Sequence, residues 1–119
     1  MVLLGGATGS LTRFVVGSAI VNRLGARFPY GTVFINLTGS FLIGLTMTLL
    51  TERLKPHPNW RLLLVVGFLG GYTTFSSFEY ETLGLVREGS RWLGLLNAVG
   101  SVTVGYLAVW FGAAVVTKP

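Results

Sequence analysis

Residues 67–78 read Gly-Phe-Leu-Gly-Gly-Tyr-Thr-Thr-Phe-Ser-Ser-Phe, inside a stretch apolar enough to cross a membrane. Two adjacent glycines followed by Thr73, Thr74, Ser76 and Ser77 disfavour a regular helix in lipid. Broken backbone at that depth survives only where protein buries it or a polar cavity meets it. A third span halted near Gly70-Gly71 would end in unpaired carbonyls, which carry partial negative charge. Carbonyl and hydroxyl oxygens suit a small hard cation such as Na⁺ better than a softer metal. In a two-fold assembly the break would face its own copy, each chain supplying two carbonyls; one chain alone cannot close such a cage.

Phe75 and Phe78 are three apart and share a helix face. Paired rings at that spacing ordinarily pack a core. The sharper reading is that a ring edge carries positive potential and attracts a small anion. Asn36 would add an amide N–H donor from the second span. Such groups replace part of a hydration shell without a fixed cation, which would hold an anion too tightly to release it. Arg13 is the basic residue well inside a span, where it either snorkels to an interface or makes a positive vestibule. Glu79 and Glu81 are two apart and point away from each other, so they make a poor acid/base pair. Glu81 shares a face with Phe78 and is placed on the path; Glu79 is placed toward water. His57 sits between two prolines in a polar loop and lacks the further ligands a metal site needs.

These residues need four spans to hold them, each of about 20 residues. The patterning places them at Val2–Val21, Gly31–Thr51, Trp60–Val86 and Trp92–Val116, joined by Asn22–Pro29, Glu52–Asn59 and Arg87–Arg91. The four spans form one domain. The first stretch has no basic region ahead of it and is read as a retained helix rather than a signal. Thr32, Asn36, Ser40, Gly44 and Thr48 form an i, i+4 line, as do Asn97, Ser101 and Gly105, and Gly5 pairs with Gly9. Small and polar lines let helices approach closely and hydrogen-bond across in lipid. Tyr30, Trp60, Trp92 and Trp110 fall toward span ends, where amphipathic rings favour the interface.

Composition agrees. Of 119 residues, 51% are hydrophobic and 11% charged, with mean hydropathy +0.68. Soluble chains carry about 25% charged residues, so the chain is read as an all-α membrane protein. The chain contains no cysteine, which excludes disulfides and thiolate sites. The net charge of +5 is spread among short loops rather than clustered on one face, which argues against nucleic acid. With four spans, Arg53, Lys55, Arg61 and Lys118 lie on one side, and Arg23, Arg27, Arg87 and Arg91 on the other. Four against four gives the positive-inside rule no preference. Either the rule is overridden or the chain inserts both ways; we favour insertion in both orientations as the expectation, with opposed copies pairing about an axis in the membrane plane.

Gly70–Phe78 (Gly-Gly-Tyr-Thr-Thr-Phe-Ser-Ser-Phe), Gly9–Arg13 (Gly-Ser-Leu-Thr-Arg) and Ile35–Phe41 (Ile-Asn-Leu-Thr-Gly-Ser-Phe) together resemble the Fluc (CrcB) family of fluoride channels. The similarity covers essentially the whole chain. The resemblance implies an antiparallel, dual-topology homodimer in a microbial cell (inner or plasma) membrane, exporting F⁻ passively through two pores. It places the pore phenylalanines at Phe75 and Phe78, the pore asparagine at Asn36 and the vestibule arginine at Arg13. It implies a structural Na⁺ on the dimer axis, held by the backbone carbonyls of Gly70 and Thr73 from both subunits. A further polar line maps onto Thr32, Glu81, Asn97 and Ser101, and Ser76 and Ser77, turned away from the ring face, are counted with the fluoride pore. Relatives can carry tyrosine at the position of Asn97, which leaves the hydrogen bonding there open.

Other classes fit less well. A small dual-topology multidrug or cation exporter needs a membrane-embedded carboxylate, and the first span has Arg13 and no acid. A non-transporting scaffold explains the small-residue lines but not the Gly-Gly-Tyr-Thr-Thr run. An enzyme would need a nucleophile–base pair, a ligand cluster or a cofactor motif, none of which the sequence shows.

Overall fold

The structure is a computed structural model and describes residues 1–117. Lys118, one of the charges in the four-against-four comparison, lies outside the described residues. Among the described residues four segments are long and apolar enough to span a bilayer: Val2–Leu24, Tyr30–Leu54, Asn59–Arg87 and Arg91–Thr117. They match the expected spans, extended by at most three residues at either end. We call the first two α1 and α2. The third divides into α3 (residues 59–72) and α4 (Ser76–Arg87), and the last is α5. The end of α2 (Leu49–Leu54) and the middle of α3 (Leu62–Leu69) wind more widely, with π-helical i→i+5 bonding.

Turn chemistry ends the helices where the sequence allows. Gly25 after α1 has φ 84° and Gly89 after α4 has φ 89°, in the left-handed region that glycine enters without strain. The Arg53 guanidinium donates two bonds to the Val116 carbonyl, tying the end of α2 to the end of α5.

The break comes later than expected. Gly70, Gly71 and Tyr72 are still helical, and the chain leaves the helix at Thr73 (φ −84°, ψ 159°) before α4 begins at Ser76. The glycines therefore do not interrupt the helix themselves. A Cβ on Gly71 would stand 2.8 Å from the Gly6 carbonyl and 3.1 Å from Ser10 Oγ, so the second glycine lets α3 press against α1. The departure at Thr73 is stabilised by side chains, described below.

Close packing follows the small residues. A Cβ on Gly9 would collide with the Phe68 carbonyl, and one on Gly44 with the Val109 carbonyl, so α1–α3 and α2–α5 meet backbone to backbone. Ile35, Leu69 and Tyr72 form the buried centre, with Val16, Leu42 and Phe68 packed on it. The outer faces carry exposed Leu3, Phe14, Val102 and Leu107, as lipid contact requires, and Trp60, Trp92 and Trp110 are exposed as well.

Candidate functional site

The site is built at the interruption between α3 and α4. In a continuous helix each N–H bonds the carbonyl four residues earlier. Here Thr74 N–H instead reaches Asn36 Oδ1 at 2.9 Å, and Asn36 Nδ2 donates back to the Thr74 carbonyl at 2.8 Å. Ser77 N–H bonds Thr74 Oγ1 at 3.3 Å, a hydroxyl cap on α4. Arg13 Nε donates to the Gly71 carbonyl at 3.2 Å. Thr73 Oγ1 donates to Leu69 O at 2.9 Å. The bonds to the Thr74, Ser77 and Gly71 backbone satisfy groups that the break would otherwise strand in lipid, whereas Leu69 O, which already accepts Thr73 N–H at 3.0 Å, gains a second donor.

Two cavities lie against the break, and Thr74 lines both. The larger, about 490 Å³, runs between α1, α2 and α4, with Arg13, Thr32, Ser77 and Glu81 among its walls. Thr32 Oγ1 donates to Glu81 Oε1 at 2.6 Å across it. α1 runs from Val2 to Leu24 and carries Arg13 at its centre, so the guanidinium meets the break instead of an interface. A charge inside a span is retained where backbone carbonyls pair it.

The smaller cavity, about 340 Å³, is an open groove lined by Asn36, Ser40, Gly70, Thr73 and Phe75. Phe75 is 72% exposed at its edge, whereas Phe78 is 6% exposed. The rings still meet, with centroids 6.0 Å apart and planes tilted by 52°. Their shared face is thus divided: Phe75 precedes α4 and points outward, and Phe78 is anchored inside. Gly39 matters here too, because a Cβ on it would collide with the Thr73 methyl group.

Not every expected residue joins these cavities within the chain. Asn97 is buried at 2% exposure between α4 and α5 and donates from Nδ2 to Thr82 Oγ1 at 2.9 Å. Ser101 donates to Asn97 Oδ1 at 3.4 Å, so these two form a separate polar knot. Ser76 is exposed beside Phe75, and Glu79 is exposed, away from Glu81. Sequence reasoning gave no role to Thr74, which makes or receives three of the bonds at the break, nor to Thr82. The hydroxyl run Thr73–Ser77 signalled polarity there, but the partners of Thr74 are a backbone amide and a side chain 38 positions away, which no local pattern exposes.

Among the described residues no three His, Asp or Glu side chains converge on a metal site. Hard backbone carbonyls are the alternative. Two carbonyls at the groove have lost their usual helical donor: Gly70, whose partner Thr74 N–H goes to Asn36, and Thr73, whose partner Ser77 N–H goes to Thr74 Oγ1. The Tyr72 carbonyl loses its donor as well, but Tyr72 does not line the groove.

Known proteins share this sequence along its length. A model of the family described as "CrcB-like protein, Camphor Resistance (CrcB)" matches residues 1–113. A protein of Solibacter usitatus named fluoride-specific ion channel FluC is 68% identical over 113 residues, covering 95% of this chain and 93% of that one. A protein of the same name from Acidobacterium capsulatum is 52% identical, covering 96% and 91%. Another, from Thermus thermophilus, is 49% identical, covering 94% and 87%.

Proposed function

The chain belongs to the CrcB-like family, and on that premise we propose that this multi-pass membrane protein is a fluoride channel, exporting F⁻ passively from the cytoplasm of a microbe. The observation that carries the reading is the interruption at Thr73–Phe75. It sets an outward-facing ring and an amide beside an open groove at mid-span, whose walls combine Ser40, Thr73 and Thr74 with apolar Ile43, Val65 and Leu69.

The chemistry follows from the donors present. Of the two hydrogens on Asn36 Nδ2, one is committed to the Thr74 carbonyl, which leaves one for an anion. The positive edge of Phe75 on the groove supplies further attraction without a full charge, and Phe78, buried at 6% exposure and packed against it, is read as adding its edge along the path. Arg13 lies in the larger cavity with Ser77 and concentrates anions there, while Thr32 and Glu81 hold each other at its wall. Ring edges and an amide carry no fixed positive charge, so a small anion is coordinated yet released.

The groove stands open on one chain, and Phe75 is exposed on it. We read it as completed by a second, oppositely inserted copy, giving the antiparallel homodimer and two pores. The Gly70 and Thr73 carbonyls fit a hard cation, because their helical donors are engaged elsewhere. Na⁺ on the dimer axis would draw these carbonyls from both subunits and bind the pair together. The exporter alternative finds no support at the site: α1 contributes a cation, and the carboxylate in the cavity, Glu81, is held by Thr32. No arrangement for catalysis is part of the reading.

Phe75→Ile tests it. The substitution keeps an apolar side chain and removes the quadrupole. Purified variant in liposomes is expected to lose F⁻ efflux while eluting as a dimer. Efflux equal to that of the wild type would remove the ring from the mechanism.

A further inference from the structure

We propose that Thr74, together with Asn36, is a positioning residue for the cation site: the two side chains divert backbone donors so that the Gly70 and Thr73 carbonyls stay available. The inference rests on the cation reading above and adds the residues that make it work.

The physics is one of competition. The end of a helix offers its carbonyls to whatever donor comes first, and the nearest are the chain's own N–H groups four residues on. For Gly70 that donor is Thr74 N–H, and for Thr73 it is Ser77 N–H. The first is taken by Asn36 Oδ1 at 2.9 Å and the second by Thr74 Oγ1 at 3.3 Å. Asn36 then closes a two-bond ring by donating to the Thr74 carbonyl at 2.8 Å, which fixes the peptide that separates α3 from α4. Of the other carbonyls in this stretch, Gly71 is occupied by Arg13 Nε at 3.2 Å, and Tyr72 does not line the groove. Side chains from α1, α2 and the break itself therefore sort the carbonyls, leaving Gly70 and Thr73 free on the groove wall.

Removing a diverting group returns its donor to the backbone. Without the Thr74 hydroxyl, Ser77 N–H falls back on the Thr73 carbonyl, α4 extends backward, and a cation loses that ligand. Helicity is held or rises while cation binding weakens. A residue that merely packed the break would not give this pairing of effects.

The test uses the full chain in detergent. Its melting temperature is followed against NaCl, with a bulky organic ammonium chloride holding ionic strength constant, and helicity is read by circular dichroism. Wild type is expected to melt higher as Na⁺ rises. Thr74→Val is expected to need at least about fivefold more Na⁺ for the same effect, the factor that one ordinary hydrogen bond carries, with helicity unchanged or greater. Thr74→Ser keeps the hydroxyl and is expected to match wild type. If valine is not accommodated, Thr74→Ala makes the same comparison. A wild-type Na⁺ midpoint in Thr74→Val or Thr74→Ala overturns the inference and leaves the cation reading standing, as does a Thr74→Ser midpoint shifted as far as theirs. A wild type indifferent to Na⁺ removes the cation reading and this inference together.

Discussion

Asn36 shows how a single side chain links structure to passage. Its amide bonds both the N–H and the C=O of Thr74, and it also stands at the groove. Asn36→Asp keeps the oxygen that receives Thr74 N–H and loses both amide hydrogens, including the one donated to the Thr74 carbonyl. It also places negative charge where an anion must pass, and like charges brought together cost several kcal/mol. F⁻ efflux in liposomes is expected to fall at least about 100-fold, the factor such a penalty carries. Efflux near the wild-type rate would show that Asn36 does not face the path. The sequence made Asn36 legible, since an amide in mid-span needs partners. It did not make Thr74 legible, because that residue works through its own peptide and a hydroxyl hidden in a run of hydroxyls. Arg13 was legible as a charge inside a span, but not its carbonyl partner on α3.

At the level of elements, glycines decide which helices touch. Gly9 and Gly84 both lie inside helices, yet a Cβ on Gly9 would strike the Phe68 carbonyl and one on Gly84 would meet nothing within 4 Å. Gly9→Ala is therefore expected to push α1 off α3 and to destabilise by about 1–3 kcal/mol, the usual range for overpacking. Gly84→Ala is expected to be neutral or to stabilise by up to about 1 kcal/mol through helix propensity. Thermal unfolding of the two variants under identical conditions checks the contrast; equal melting temperatures would contradict it. The spans themselves were readable from hydropathy and length. The exact break was not: glycine composition drew attention to residues 70 and 71, whereas the helix yields at Thr73, where tertiary hydrogen bonds replace the backbone ladder.

Across the whole molecule, charge and exposure bear on assembly. The loops carry no positive bias toward either side, so both orientations are expected in one membrane. A reporter fused to the C-terminus is expected to give signal from both sides; signal from one side alone would end the dual-insertion proposal. Phe75 lies 72% exposed on a groove that the chain leaves open, which fits a surface completed by another copy. Nothing in composition or periodicity named the ion. That came from the resemblance carried by Gly70–Phe78, and the relatives named above bear the fluoride channel name over nearly their full length. The measurement that meets the account most directly is ion efflux from liposomes holding the purified wild-type protein, read with a fluoride electrode and then a chloride electrode under the same potassium-ionophore drive. Rapid F⁻ release is expected, with Cl⁻ release no faster than from empty liposomes. Retained F⁻, or Cl⁻ leaving at a comparable rate, would contradict it.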